Sequence, residues 1–233
     1  MTQITDRVNL YPAQWILHFY VEEDTAPSEV DMLVDIKLKQ IADFHGHLCP
    51  DLVIGYRAAQ HALTRLEVKL AMPNLRVLVE NNTSAVDAIQ MITGCTPGNS
   101  RLLIRDEGKH VYIFQTDDHH GFCMTLAPAG QELPTDLLTI EKKILTNQAT
   151  LEEMGIYQHL LDQRILKLLE LPIETLFTTQ WVESTWPEAQ ITSRIERCDG
   201  CGEPVIESHL TRIRNRRLCQ RCLKRRKTIR SET

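Results

Sequence analysis

The chain has 233 residues, of which 42% are hydrophobic and 24% are charged. These values are typical of a soluble globular protein and argue against a disordered, collagen-like or coiled-coil chain. No apolar run approaches the ~18 residues of a membrane span, and the beginning of the chain lacks the basic and small residues of a signal peptide. We therefore expect a cytoplasmic protein that does not contact a membrane.

The charge is distributed unevenly along the chain. From Cys198 to the end there are ten Lys or Arg residues and four Asp or Glu residues, a net charge of +6. Residues 1–197 therefore carry a net charge of −11. A basic tail on an acidic body predicts binding either to nucleic acid or to the body of a partner protomer.

The first predicted elements are two helices separated by a polar segment. Residues 1–28 show no interpretable pattern. Apolar residues at helical spacing predict a helix over 28–43. Pro50 is typical of the first residue of a helix, and this second helix would cover 50–70. The polar segment between them is HGHLCP, at 45–50.

The middle of the chain is predicted to form several strands and one helix. The predicted strands cover 75–80, 102–105, 110–115 and 123–127. The second and third of these are expected to be joined by a turn at 106–109. A helix is predicted over 84–94, where Ser84 and Asp87 have the spacing of a capping box.

Two more helices are predicted over 137–147 and 150–171, and Thr150 with Glu153 is a second capping-box candidate. The segment 171–197 contains two prolines, two tryptophans and little periodicity, which indicates a linker. Because strands and helices do not alternate strictly, the order favours an α+β fold. We therefore predict an α+β core domain over 1–170, a linker over 171–197 and a small domain over 198–233.

Two cysteine pairs near the end of the chain have metal-ligand spacing. They form a C-x2-C, x17, C-x2-C pattern, which is inside the range of structural zinc sites. Four thiolates close a tetrahedral shell, and metal binding would supply much of the folding free energy of so small a segment. The less favoured alternative is a redox-active dithiol. The predicted zinc ligands are Cys198, Cys201, Cys219 and Cys222.

A second group of metal-binding residue types is His45, His47 and Cys49. Imidazole and thiol groups are good ligands for zinc, iron, copper and nickel, and Gly46 lets the backbone turn so that the histidines converge. Cys49 falls at the cap of the Pro50 helix, where we expect a lowered thiol pKa. Three ligands with an open fourth position would describe a catalytic metal site. The alternative is a packed loop whose histidines bind backbone carbonyls.

The segment 45–59 resembles the signature of the FmdE family, which takes its name from the E subunit of formylmethanofuran dehydrogenase. The resemblance continues at Glu80, 84–90 (SAVDAIQ), 94–99 (GCTPGN), 106–109 (DEGK), 198–204 (CDGCGEP) and the pair Cys219 and Cys222. It implies an α+β core followed by a treble-clef zinc finger. It also implies a homodimer, in which the finger packs on the other protomer, and a link to molybdenum or tungsten enzymes of one-carbon metabolism.

The resemblance also suggests residues around the core metal. Asp87 and Gln90 lie three apart on one helix and match family positions, so they are candidates to orient a ligand or a bound water. Lys109 is a third candidate. The family usually has glycine at the position of Asp51 and often has cysteine at that of Ser84. The missing thiol argues against two-thiol redox chemistry but leaves a His/His/Cys metal site intact.

We therefore predict a metal-binding protein of this family that acts as an enzyme or redox-accessory protein in molybdenum- or tungsten-linked one-carbon or anaerobic metabolism. It would hold a structural zinc ion and a second divalent metal, with Cys49 and His47 as candidate catalytic residues. The expected partners are a second copy of the chain and a molybdenum or tungsten enzyme. The alternatives are a zinc-finger regulator that binds nucleic acid and a metal carrier without catalysis. Nucleic acid is not favoured, because no aromatic residue follows Cys198 to stack on bases.

Overall fold

The structure is a computed structural model that describes residues 36–68, 74–116, 120–183, 186 and 194–231, with side chains described up to residue 225. The chain divides into two compact units, Met1–Thr185 and Trp186–Thr233. Within the described residues, no helix combines the length and the apolar composition that crossing a membrane requires.

The first unit contains seven helical segments and five strands among its described residues. The helices are α1 (Ile36–His45), α2 (Pro50–Arg65), α3 (Ala85–Thr93), α4 (Pro128–Gln131), α5 (Thr135–Leu145), α6 (Leu151–Glu170) and α7 (Ile173–Leu176). The strands are β1 (Arg76–Val79), β2 (Leu102–Ile104), β3 (Val111–Gln115), β4 (His120–Leu126) and β5 (Phe177–Glu183). Mixed helices and sheet confirm the predicted α+β class.

The five strands form one sheet in the order β2-β1-β3-β4-β5. The β1 and β2 strands pair in parallel, and all other neighbours are antiparallel. The expectation that 102–105 and 110–115 pair across a turn is wrong, because β1 lies between β2 and β3. A turn is nevertheless present at 106–109, where the Gly108 amide donates to the Asp106 carboxylate at 3.2 Å.

Helices α2 and α3 pack so closely that glycine is required at their contact. A Cβ atom added to Gly55 of α2 would lie 2.2 Å from the carbonyl oxygen of Ala85, at the start of α3. Both helices bury apolar faces in the main core, which also takes Tyr112, Phe114 and Phe177 from the sheet. Their close contact fixes the beginning of α3 against the first turns of α2.

Helix α2 begins at Pro50, as predicted, with Cys49 at the N-cap position. It ends at Arg65 rather than near residue 70. The backbone leaves the helix at Glu67, whose φ of 53° is left-handed. The predicted helix over 28–43 corresponds to α1 from Ile36 onwards, and its expected beginning lies outside the described residues.

Helices α5 and α6 form a hairpin with its own apolar cluster. Leu137, Ile140 and Tyr157 are buried in this cluster, which is separate from the main core. Thr150 and Glu153 form the predicted capping box, because each side chain accepts from the backbone amide of the other. Both helices lie close to their predicted ranges, which are set by apolar periodicity and by this cap.

Residues 171–183 belong to the first unit rather than to a linker. They form α7 and then β5, which pairs with the whole length of β4. Phe177 and Leu176 are fully buried in the main core, which supplies the free energy that orders the segment. The prolines at 172 and 187 therefore flank an edge strand, and Pro172 begins α7 as its N-cap.

The second unit is a small assembly of two hairpins and a helix. It contains β6 (Ile195–Arg197), β7 (Pro204–Ile206), a 3-10 turn (Glu207–His209), β8 (Thr211–Ile213), β9 (Arg216–Leu218) and α8 (Gln220–Ser231). The β6 strand pairs with β7, and β8 pairs with β9. This order of knuckle, hairpin and helix is compatible with the predicted treble-clef finger.

Candidate metal centre

The loop between α1 and α2 brings three ligand types together. His45 is the last residue of α1, and Gly46 leaves the helix with φ of 101°, a conformation that glycine adopts without strain. The Gly46 amide still donates to the Ala42 carbonyl at 2.7 Å, which holds the turn against the helix end. The chain then runs through His47 to Cys49, where α2 begins. The sharp turn points His45, His47 and Cys49 at one another.

The donor atoms of His45, His47 and Cys49 all lie within 4.8 Å of one another. The Cys49 sulfur is 4.0 Å from His45 Nε2. Metal–ligand bonds of ~2.0 to ~2.3 Å place tetrahedral N and S ligands about 3.6 Å apart. Small side-chain rotations therefore suffice to bring the three donors around one ion. Two imidazoles and a thiolate suit zinc, iron, cobalt or nickel.

Asp87 orients His45. Its Oδ2 atom is 2.7 Å from His45 Nδ1, and Gln90 Nε2 donates to Oδ1 of the same carboxylate at 3.3 Å. A carboxylate at Nδ1 favours the tautomer whose Nε2 lone pair is available to a metal. Asp87 and Gln90 thus occupy the supporting positions that the sequence analysis assigned to them.

The expected capping box of Ser84 and Asp87 is wrong. Ser84 has a helical backbone and makes no side-chain cap, while the Asp87 carboxylate contacts His45. The Ala85 amide instead donates to the Thr83 hydroxyl at 3.3 Å. Ser84 is released from capping and hydrogen-bonds the sulfur of Cys49. The position where the family often has cysteine is therefore in contact with the candidate metal ligand.

Burial dominates the electrostatics of the candidate ligands. It raises the pKa of the Cys49 thiol, and the hydrogen bonds from Ser84 and from the first amides of α2 only partly oppose this. The expected lowering of that pKa by the helix start is therefore corrected. Burial, followed by repulsion from His45, lowers the pKa of His47. A thiol of this kind is a weak free nucleophile, and coordination to a cation would deprotonate it.

A cavity of about 580 Å³ opens beside the candidate ligands. His47, Cys49 and Ser84 lie at its polar end, and Lys109 lines the same cavity. The opposite wall comes from the α5–α6 hairpin, which contributes leucine, isoleucine and tyrosine side chains. The volume is within the range of small-molecule sites.

Sequence reasoning did not identify the cavity wall. Its residues include Leu145, Tyr157 and Arg164, which lie about a hundred positions from the candidate metal ligands. Arg164 donates to the carbonyls of Gly130 and Glu132, so it also holds the chain that enters α5. Apolar residues at helical spacing predicted these helices, but nothing in the pattern indicated which face adjoins the polar loop.

The four cysteines of the second unit form a compact cluster. Their sulfur atoms all lie within 4.8 Å of one another. Those of Cys201 and Cys219 are 3.9 Å apart, close to the ~3.8 Å edge of a tetrahedron with zinc–sulfur bonds of ~2.3 Å. The cluster is therefore compatible with a zinc ion. The cysteines that meet in it are Cys198, Cys201, Cys219 and Cys222.

Local backbone geometry supports thiolates in this cluster. The amides of Gly200 and Cys219 each donate to the Cys198 sulfur at 3.3 Å. These bonds, that of Cys219 above all, lower the pKa of Cys198 to about 6. A Cβ atom on Gly200 would lie 2.9 Å from the Cys222 sulfur, so a larger residue would displace a ligand.

Comparison with known proteins places the chain in a family. Residues 44–178 match the family model FmdE, Molybdenum formylmethanofuran dehydrogenase operon. A protein of Archaeoglobus fulgidus, described as a probable S-adenosyl-L-methionine-binding protein, is 29% identical over 194 residues that span 79% of this chain and 52% of that protein. The chain thus spans about half the length of this curated relative.

The fold is also found in a solved structure. The crystal structure of an FmdE-like protein of tungsten formylmethanofuran dehydrogenase from Syntrophus aciditrophicus matches with a TM-score of 0.52 and 20% identity. The match covers 80% of this chain and 89% of that one. Because the family model matches more than half of the 233 residues, the chain belongs to the FmdE family.

Proposed function

We propose that this protein is a metalloprotein whose core binds one divalent metal ion at His45, His47 and Cys49 and uses it on a small molecule held in the adjoining cavity. The observation that supports this most directly is the convergence of three donor atoms within 4.8 Å at the polar end of that cavity. Three protein ligands leave a coordination position for water or a substrate, which is the arrangement of a catalytic metal site.

The chemistry that such an ion supplies is polarisation of a bound oxygen or sulfur atom. The chain's own residues prepare the site for it. Asp87 fixes the ring of His45, and Ser84 hydrogen-bonds the sulfur of Cys49. Burial of Cys49 and half-burial of His47 limit competing water. His47 and Cys49 both line the cavity, so they are the ligands nearest to a bound substrate.

The test is a metal count with element identity on untagged protein. We expect two metal ions per wild-type chain, one of them zinc in the cysteine cluster of the second unit. Cys49→Ala should lose only the core metal. Cys123→Ala is the matched control, because Cys123 is a buried core cysteine outside the cluster. If Cys49→Ala retains both metals, the proposed core site is wrong.

We further propose that the protein acts as an enzyme or accessory protein in molybdenum- or tungsten-linked metabolism. The support is that the matching family is named for a molybdenum enzyme operon and the Syntrophus protein for a tungsten enzyme. Such a role predicts that untagged protein co-purifies from its native extract with a molybdenum or tungsten enzyme. Elution of the chain in fractions that contain neither metal would contradict this role.

A homodimer is part of the same proposal. The net charges of +6 after residue 197 and −11 before it favour docking of the finger on an acidic surface. Sedimentation equilibrium at micromolar concentration should give twice the chain mass, and a higher salt concentration should weaken the association. A monomer under low salt would contradict it.

S-adenosylmethionine is a specific candidate ligand, because the Archaeoglobus relative is described as a probable binder of it. The cavity volume of about 580 Å³ is within the range of small-molecule sites. Calorimetric titration of the metal-loaded chain with S-adenosylmethionine tests this candidate, with adenosine as the control ligand. Equal weak binding of both would remove it.

A further inference from the structure

We propose that the cavity beside the core metal site selects amphipathic carboxylates, with the carboxylate at the metal and Lys109 and the apolar body against the α5–α6 hairpin. This inference rests on the proposed function and names the substrate class of that site. It is carried by the two chemically different ends of one cavity.

The apolar end of the cavity is built by a cluster that the main core does not use. Leu137 and Tyr157 are buried in the α5–α6 cluster, and Ile144 and Leu161 pack against them. All four line the cavity, together with Leu133 and Leu145. Leu133 and Leu145 remain 43% and 50% exposed. An apolar ligand would therefore remove both leucine surface and its own surface from water.

The polar end of the cavity fits an anionic head group. A divalent ion bound by two neutral imidazoles and one thiolate carries a net charge of +1, and Lys109 adds a second positive charge along the same wall. A carboxylate has two oxygen atoms, so one can bind the ion while the other accepts from an ammonium group. An amine head would be repelled by both.

Other charges in the cavity do not reverse this preference. Arg164 and Asp51 both line it, and Asp51 acts electrostatically on the Arg164 guanidinium. These two charges offset each other. Glu141 lies on α5 beside the leucine side chains, so it disfavours a second anionic group at the apolar end. The cavity therefore matches a ligand with one carboxylate and an uncharged tail.

The experiment is calorimetric titration of full-length protein with butyrate, hexanoate and octanoate, with and without cobalt(II) in the core site. Affinity for the metal-loaded chain should rise about fourfold for each methylene that becomes buried. Octylamine should bind much more weakly than octanoate. The same affinity for all three carboxylates, or equal binding of octanoate and octylamine, would overturn the inference.

Two pairs of matched variants locate the ligand. Leu145→Gln changes a cavity residue, whereas Leu138→Gln changes a similarly exposed leucine of α5 outside the cavity. Only Leu145→Gln should weaken octanoate binding, by about fivefold. Lys109→Met should weaken it by about two- to fivefold, whereas Lys142→Met should not. Equal effects within either pair would refute the placement.

Failure of this inference can be separated from failure of the proposed function. The visible spectrum of cobalt(II) reports whether His45, His47 and Cys49 hold the ion, independently of any carboxylate. A cobalt spectrum with no chain-length effect would refute the carboxylate preference and leave the metal site in place. A chain-length effect that is the same with and without cobalt would support the apolar wall and refute the role of the metal in it.

Discussion

Asp87 and His45 are hydrogen-bonded at 2.7 Å although 42 residues separate them in the chain. The contact joins α3 to the end of α1 and fixes the ring of the first candidate ligand. Gln90, one turn further along α3, supports the other carboxylate oxygen. A single helix therefore determines the orientation of His45 from outside the metal loop.

Loss of this carboxylate should weaken core metal binding. We expect Asp87→Ala to reduce the affinity for the core metal about 10- to 100-fold, because His45 loses its fixed tautomer and orientation. Zinc in the cysteine cluster should be unaffected. Competition with a chromophoric chelator measures both sites. Asp43→Ala is the control, since it removes an exposed carboxylate two residues from His45, and an equal effect of both variants would contradict the role of Asp87.

The capping pattern shows where sequence reasoning stops. Ser84 and Asp87 have the same spacing as Thr150 and Glu153, yet only the second pair forms a capping box. Asp87 has a competing partner in His45, and that contact depends on the packing of α3 against α1 and α2. Local spacing identifies which groups can interact, but long-range packing decides between partners of similar energy.

The sheet and the cavity show the same limit. Apolar alternation predicted the strands, but not the insertion of β1 between β2 and β3, which depends on long-range pairing. The metal loop was predictable because its three ligands lie within five positions. The cavity wall was not, because Leu145 and Tyr157 adjoin that loop only after the α5–α6 hairpin has packed.

The contact between Gly55 and Ala85 should control the stability of the core. Gly55→Ala places a methyl group 2.2 Å from a backbone oxygen, so α2 and α3 must separate. We expect a loss of at least about 2 kcal/mol in the free energy of unfolding, measured by urea denaturation. Because α2 carries Cys49 and α3 carries Asp87, metal affinity should also fall.

The matched control is Gly155→Ala in α6. No atom lies within 4 Å of a Cβ added there, and alanine is the better helix former. This variant should gain about 0.5 to 1 kcal/mol of stability. Similar changes in both variants would show that the effect at Gly55 is one of helix propensity and not of close packing.

The second unit should depend on its metal. Cys201→Ser removes one of four sulfur ligands, so we expect loss of about one zinc ion per chain and unfolding of the unit, because so small a segment has little apolar core of its own. The core should keep its structure and metal. Zinc analysis with near-ultraviolet circular dichroism measures this. A chain that keeps its full zinc content after the substitution would contradict the assignment.

Binding of the core metal should release protons in a way that the two pKa shifts determine. The pKa of Cys49 is raised, so the thiol is protonated at pH 7 and must lose its proton when it binds the metal. The pKa of His47 is lowered from 6.5, so this imidazole is already neutral at pH 7 and releases almost no proton. Affinity should therefore rise about tenfold per pH unit from about 7 to 8. It should fall more steeply below the His47 pKa, where metal and proton also compete for the imidazole.

Calorimetry in buffers of different ionisation enthalpy measures this proton release directly. We expect about one proton per metal ion bound at pH 7.5, and close to none from the core site of Cys49→Ala. Cys123→Ala should match the wild type, although burial also raises the pKa of the Cys123 thiol, because that thiol lies outside the cluster. Metal binding to the core without proton release at pH 7.5 would mean that Cys49 is not a ligand.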